Sequence, residues 1–219
     1  MSLRTNVRRL PEKAVNDVSA LHAILDEALV AHVGISVDGQ PYVLPMACAR
    51  DGDDLLLHGS TASRLVTGLA DGLPACATIT LLDGLVYARS AFESSMHYRS
   101  AMVLGVAHAV PSDAQEAALH VLTDHLLPGR RGDLRRSTRK ELAATRVLRL
   151  PLKEWSVKVS NAPPQDPEDD LNARIWAGVL PLRLQPGRPV DAPDLLVPRP
   201  VPSYVTHWPA QPSRPETAD

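Results

Sequence analysis

The sequence predicts a mainly β domain, with six or so antiparallel strands closing a small barrel and a few helices at its flanks. Three observations carry that prediction. Strand-like runs follow one another through Asp-Gly turns at Asp38-Gly39, Asp51-Gly52 and Asp83-Gly84, connections far too short for parallel crossovers. Helical spacing of apolar residues is confined to a few short windows. Thirteen of the 20 prolines lie between Pro163 and Pro215, which rules out continuous helix or inner strand there. At 219 residues, 44% hydrophobic and 22% charged, the chain has the length and composition of one globular domain with appendages.

Residues 1–16 are polar and basic, with Arg4, Arg8 and Arg9, and read as an arm. Asp17 is placed to cap a helix whose apolar members are Val18, Leu21, Ile24, Leu25 and Leu29. Ala31 to Val37 and Pro41 to Ala49 form a hairpin about Asp38-Gly39-Gln40, and Asp51-Gly52-Asp53 turns the chain into Leu55 to His58. Gly59 to Arg64 breaks the strand pattern, and Leu65, Val66 and Leu69 resume at helical spacing. Pro74 to Leu82 and Leu85 to Ala91 read as a hairpin about Asp83-Gly84. Tyr98 to Val110 is a long strand with Gly105 at a bend, and Ser112 caps a helix running to Leu126. A second helix is expected over Ser137 to Thr145, then a strand over Val147 to Val159. Ile175 to Leu182 is an ordered island in the proline-rich region. The organisation is therefore an arm (1–16), a domain (17–184) and a proline-rich tail (185–219), either disordered or wrapped over the surface.

The net charge of −2 hides a basic run, Arg130, Arg131, Arg135, Arg136, Arg139 and Lys140. With few aromatics nearby, a solvated face fits it better than a nucleic-acid surface. Cys48 and Cys76 sit singly in apolar strands, without a CxxC pair or zinc-ligand spacing, as expected of buried thiols in a reducing cytoplasm. No metal site is expected. No h-region opens the chain, and no apolar run reaches the ~18 residues of a membrane span.

Chemistry concentrates in two clusters. Leu57-His58-Gly59-Ser60-Thr61-Ala62-Ser63-Arg64 runs from strand through glycine and hydroxyls to a helix start, where free amides and a guanidinium suit a phosphate. Spacing alone equally allows a plain helix start with a surface arginine and a core or edge His58. Phe92-Glu93-Ser94-Ser95-Met96-His97-Tyr98-Arg99-Ser100 packs hydroxyls, His and Arg into a strand junction. No nucleophile elbow and no HExxH accompany them.

These clusters, in order after Gly39-Gln40-Pro41-Tyr42-Val43-Leu44-Pro45-Met46 and before Trp176-Ala177-Gly178-Val179-Leu180-Pro181-Leu182, resemble the flavin-nucleotide-binding branch of the pyridoxamine 5′-phosphate oxidase-like family, which includes nitroimidazole-resistance reductases. The likeness covers about residues 4 to 184. It implies a homodimer of six-stranded antiparallel split β-barrels with FMN at the subunit interface. It also implies that Pro45, Met46, His58, Gly59, Ser60, Ser63, Arg64 and Thr78 line the flavin. Ser94, Ser95, Tyr98 and Trp176 come near it, Trp176 from either chain. The chain departs from its relatives at Ser160-Asn161, where they carry a basic residue, and the substrate-binding pattern of true pyridoxamine phosphate oxidases is missing. The expected activity is reduction of a small organic acceptor, such as a nitroaromatic, by reduced nicotinamide, with His58 as orienter or proton donor. The alternatives are non-catalytic flavin storage, a deazaflavin, or haem held by His58, His97 or His108. A small-molecule substrate is expected, with no nucleic-acid or membrane partner.

Overall fold

The structure, a computed structural model, describes residues 3–208. Its strands are β1 (Ala14–Val15), β2 (Val30–Val37), β3 (Gln40–Asp51), β4 (Asp54–Ser60), β5 (Pro74–Tyr87), β6 (Ser95–Val106), β7 (His108–Ala109), β8 (Thr145–Pro151), β9 (Glu154–Ser160) and β10 (Gly178–Pro181). The helices are α1 (Val18–Glu27), α2 (Arg64–Ala70), α3 (Gln115–Leu126), α4 (Arg139–Ala144) and α5 (Ser203–Thr206). The Asp17 carboxylate caps α1, accepting from the Ser19 amide at 2.9 Å, and these bonds hold its pKa below the usual carboxylate range. Asp38 and Gly39, with φ of 52° and 80°, make the left-handed pair that a two-residue hairpin between β2 and β3 requires.

All pairings are antiparallel, in the order β1-β9-β6-β5-β2-β3-β4-β8-β7, with β10 added to β5. β8 and β9 sit far apart in that order, yet only Leu152 and Lys153 separate them in sequence. Three Cα steps span at most ~11 Å, so the sheet must curl until its ends meet. The barrel is split where β3 changes partner, pairing with β2 through Ala47 and with β4 from Cys48. Inward-facing Val33, Leu55, Leu57, Ile79, Val103, Leu148, Leu150 and Val157 form the interior, closed over by α1 and α2. A smaller core lies outside, where Ala118 and Leu122 of α3 cover Ala49, Leu56 and Val147.

The antiparallel class holds, with ten strands among the described residues in place of six. Asp83-Gly84 is not a hairpin turn. β5 runs through it with a register shift between Leu82 and Gly84, because Asp83 is drawn to Arg99 and Gly84 admits β10. A Cβ on Gly84 would lie 3.0 Å from the Leu180 carbonyl oxygen. The segment Val147 to Val159 is two strands, since its halves pair with β4 and β6 respectively. The long strand expected over Tyr98 to Val110 begins at Ser95, stops at Val106 and re-pairs as β7 on β8. Gly105 sits at that crossing, 3.1 Å from Leu150 to an added Cβ. Ser112 does not cap α3, whose N-cap is Ala114 without a side-chain bond. Thr138 caps α4 in a reciprocal box with Glu141.

The described part of the arm lies along β9. β1 pairs with it, Lys13 Nζ donates to Ser160 Oγ at 3.0 Å, and Thr5 is buried. Of the basic run, Arg131, Arg135 and Arg136 pair with Asp124, Glu141 and Glu116. The described part of the tail crosses the end of α3, where Trp208 Nε1 donates to the Leu126 carbonyl.

Arg99 ties the seam together. Its guanidinium binds Asp83 at 2.7 and 2.9 Å and both carboxylate oxygens of Glu27 on α1, all three side chains being less than a fifth exposed. These acids raise its pKa above the ordinary guanidinium value. Removing one partner of a buried pair leaves charge unsatisfied. Arg99→Ala is expected to destabilise the fold by about 3 kcal/mol, read as a lowered urea midpoint, and Arg99→Lys to recover only part, since an ammonium cannot serve two carboxylates in fork geometry.

Candidate functional site

Alternation along β4 decides which side each residue of the first cluster faces. Leu55, Leu57 and Gly59 point inward, whereas Leu56, His58 and Ser60 point out, the side on which α3 packs. The β3–β4 ladder ends at Cys48–Leu57, while β8 continues opposite His58, Gly59 and Ser60 through Val147, Arg146 and Thr145. The last three residues of β4 therefore line the split, and Pro45 and Met46 lie on β3 just past the point where it leaves β4.

His58 is half-buried, and its Nδ1 is buried with no hydrogen-bond partner among the described residues. Burial lowers its pKa, so the ring is held neutral. Gly59 is needed for packing: a Cβ there would stand 2.7 Å from Val66 Cγ2 of α2 and 3.9 Å from Met46 Cε. Met46 itself is 8% exposed and belongs to the interior. Ser60 Oγ accepts from the Ala62 amide at 3.2 Å. Ser63 is the N-cap of α2 but makes no side-chain cap, which leaves first-turn amides without an internal acceptor. Arg64 lies 4.9 Å over the Tyr42 ring, and no carboxylate pairs with it among the described residues.

Pro45 faces outward in a cross-strand row, opposite His32, which is opposite Thr78, which is opposite Met102. Thr78 Oγ1 donates to the His32 carbonyl at 3.4 Å. The remaining sequence-predicted residues form a second group at the other end of β5 and β6. Ser94 Oγ donates to the Ser90 carbonyl at 2.7 Å and accepts from the Ala88 amide, fastening the loop before β6. Ser95 is opposite Val86, and Tyr98 opposite Ser160. Trp176 is 69% exposed, its ring 5.8 Å from that of Tyr87. Tyr98 and Met102 are four residues apart on β6, about 13 Å at strand rise. One chain thus gathers its predicted residues into two groups, one at the split and one at the β5–β6–β10 end.

Two residues escaped the sequence reading. Arg146 stands opposite Gly59, beside the start of α2, without a carboxylate partner among the described residues; only the β8–β4 register reveals it. His32 sits exposed in the outward row, and its alternation with the buried Ala31 and Val33 was the available signal. Of the other histidines, His97 Nε2 is engaged with the Ala162 carbonyl at 2.8 Å, and His108 lies exposed on β7. Among the described residues no three His, Cys, Asp or Glu side chains gather as a metal site, and no helix is long and apolar enough to cross a membrane.

A family model described as pyridoxamine 5′-phosphate oxidase matches residues 17–159. The chain belongs to that family. Among solved structures it is similar to the FAD and haem binding protein from Mycobacterium smegmatis, at 44% identity over 89% of this chain and 96% of that one, TM-score 0.86. It is similar to the flavocytochrome Anf3 from Azotobacter vinelandii, at 39% identity over 94% and 96%, TM-score 0.88. A putative 5-nitroimidazole antibiotic resistance protein from Bacteroides thetaiotaomicron shares 25% identity over 67% and 86%, TM-score 0.57. No curated protein matches the chain.

In this member of the pyridoxamine 5′-phosphate oxidase family the neutral state of His58 is a stability statement. The folded pKa lies below the ordinary 6.5, so on acidification the unfolded chain takes the proton first and stability falls. Well above pH 6.5 both states are neutral and this pH dependence ends. Urea titrations between pH 7.5 and 5 should therefore show wild-type losing more stability than His58→Leu; parallel losses would mean that the folded imidazole titrates normally.

Proposed function

We propose that the protein is a flavocytochrome-type oxidoreductase, taking electrons from reduced nicotinamide into a flavin and passing them to a haem. The carrying observation is His58, a desolvated neutral imidazole whose Nδ1 has no partner among the described residues, on the outward face of β4 at the split. Neutral imidazole is the usual haem ligand, and the two solved relatives of highest identity named above are flavin–haem proteins by description. Of the three histidines weighed from the sequence, His97 is engaged with the Ala162 carbonyl and His108 lies exposed on β7, so His58, desolvated and with Nδ1 unpartnered among the described residues, would be the iron ligand.

The donors at the split suit a flavin nucleotide. Ser60, Ser63 and the first-turn amides of α2 would hold phosphate, with Arg64 and Arg146 neutralising it. Two unpaired cations fit a diphosphate better than a single phosphate, so we place FAD here in preference to FMN. A bound flavin supplies hydride acceptance and single-electron transfer onward, and a haem takes electrons one at a time. The chain's own part is to anchor the nucleotide by charge, to keep His58 unprotonated by burial, and to orient both groups against the outward face at Pro45. The second group would complete the site from a partner in a homodimer. Exposed apolar side chains at both groups (Val43 and Leu44, then Phe92, Met96 and Trp176) favour such an association. Cys48 and Cys76 are both free, in keeping with a reducing cytoplasm. The likeness to a nitroimidazole resistance protein supports a second reading, in which a nitroaromatic replaces haem as acceptor and the neutral His58 orients it by a hydrogen bond.

The test is reconstitution with FAD and haemin, followed spectroscopically. His58→Ala should lose the wild-type Soret band while keeping its flavin, and added imidazole should restore the band. An unaltered Soret band would remove His58 as ligand, and turnover of a nitroaromatic without haem would favour the second reading. Arg64→Ala and Arg146→Ala should each weaken flavin binding about tenfold or more, by fluorescence titration.

A further inference from the structure

The described part of the proline-rich tail supplies none of the residues named at the site just described, yet it helps to build a concavity of its own. Between the end of α3 and residues 186–208 lies a cavity of about 350 Å³, within the range of small-ligand pockets. Its walls are apolar: Leu127, Pro128, Pro186, Pro189, Val205 and the Trp208 indole.

The tail is latched around this space. Tyr204 donates its hydroxyl proton to Asp133 at 2.5 Å and accepts from Arg130 Nη1 at 2.8 Å. Gly129, at φ 81°, lets Tyr204 approach so closely that a Cβ there would lie 2.8 Å from the Tyr204 Cβ and 3.3 Å from its ring. Trp208 Nε1 donates to the Leu126 carbonyl in the last turn of α3, so both aromatic anchors are fixed at the end of that helix.

One charge enters this apolar lining. Arg130 is half-buried; its Nη1 donates to the Tyr204 phenol oxygen, and the neighbouring Asp133, which accepts from that phenol, also attracts it and helps to raise its pKa. A guanidinium has five N–H donors and only one is used here among the described residues, so an apolar cavity with that cation at its wall suits a ligand that is hydrophobic with one acidic end.

We infer that the tail and the end of α3 form a second ligand site, separate from the split, for a small apolar carboxylate with an aromatic or short aliphatic body. The carboxylate meets Arg130 while the body lies among the prolines and the Trp208 ring. This inference is independent of the flavin and haem reading.

Naphthalene-2-carboxylate and its neutral amide serve as probes, titrated calorimetrically into the full-length protein, with Trp208 fluorescence followed in parallel. The expected result is one carboxylate per chain, with Trp208→Phe abolishing the quenching signal. The amide should bind at least about tenfold more weakly, and Arg130→Gln should cost the carboxylate a similar factor, the size of a lost charge-assisted hydrogen bond. His58→Ala and Arg64→Ala should leave the affinity unchanged. Equal affinity for acid and amide would overturn the proposal. So would indifference to Arg130→Gln, loss of binding with the split variants, or no binding at all.

Discussion

The two residues between Pro151 and Glu154 impose more on this fold than any other feature. β8 must stay on β4 and β9 on β6, and a link that short forces the sheet's two ends together. Curling puts one face of every strand inside, so Val33, Leu57, Leu148 and Val157 share one core. At roughly 25 cal/mol per Å² of apolar surface removed from water, that interior is the main driving force. The same closure leaves β3 serving two partners in succession. Where it changes from β2 to β4 the ladder opens, and the open edge is where His58, Gly59 and Ser60 lie. The candidate site is thus a consequence of how the barrel closes.

That origin explains its electrostatics. Strand residues at an opening keep one side in protein and lose a neighbour on the other. His58 is buried enough to disfavour its charged form, and its Nδ1 has no hydrogen-bond partner among the described residues. A buried polar atom without a partner is a standing cost, tolerable where a ligand satisfies it or where the neutral ring is itself useful. Among the described residues neither Arg64, which lies over the Tyr42 ring, nor Arg146 has a carboxylate partner, whereas Arg99 is held by two.

Much of this was legible in the sequence, for reasons that differ by residue. The turn at Asp38-Gly39 was readable because left-handed backbone at both positions has few solutions. Asp17 was readable as a cap because its bonds are local. Asp83-Gly84 carried the same dipeptide and misled, since what holds it is Arg99 and the approach of β10, both remote in sequence. The strand Val147 to Val159 was found, but its division was not, because apolar periodicity does not say which neighbour a strand has. His58, Ser60 and Arg64 stood out as one cluster in the chain, and the structure sets them along one opening. Arg146 joins them only through register, which no local pattern encodes, and Met46 turned inward by the alternation that sent Pro45 outward.

The division of the predicted residues into two groups bears on the proposed function directly. Neither group alone could enclose a flavin: the split offers cations and hydroxyls with little aromatic surface, and the far end offers Trp176 and Tyr87 with little charge. Nucleotide recognition needs both, charge for the phosphates and apolar area for the ring. If two chains supply the halves, ligand binding and association are linked, because a ligand that binds only the assembled form adds its free energy to assembly. On the proposed reading the exposed rings and the two arginines share one cause, since the complement of each would lie on another chain or on a bound nucleotide.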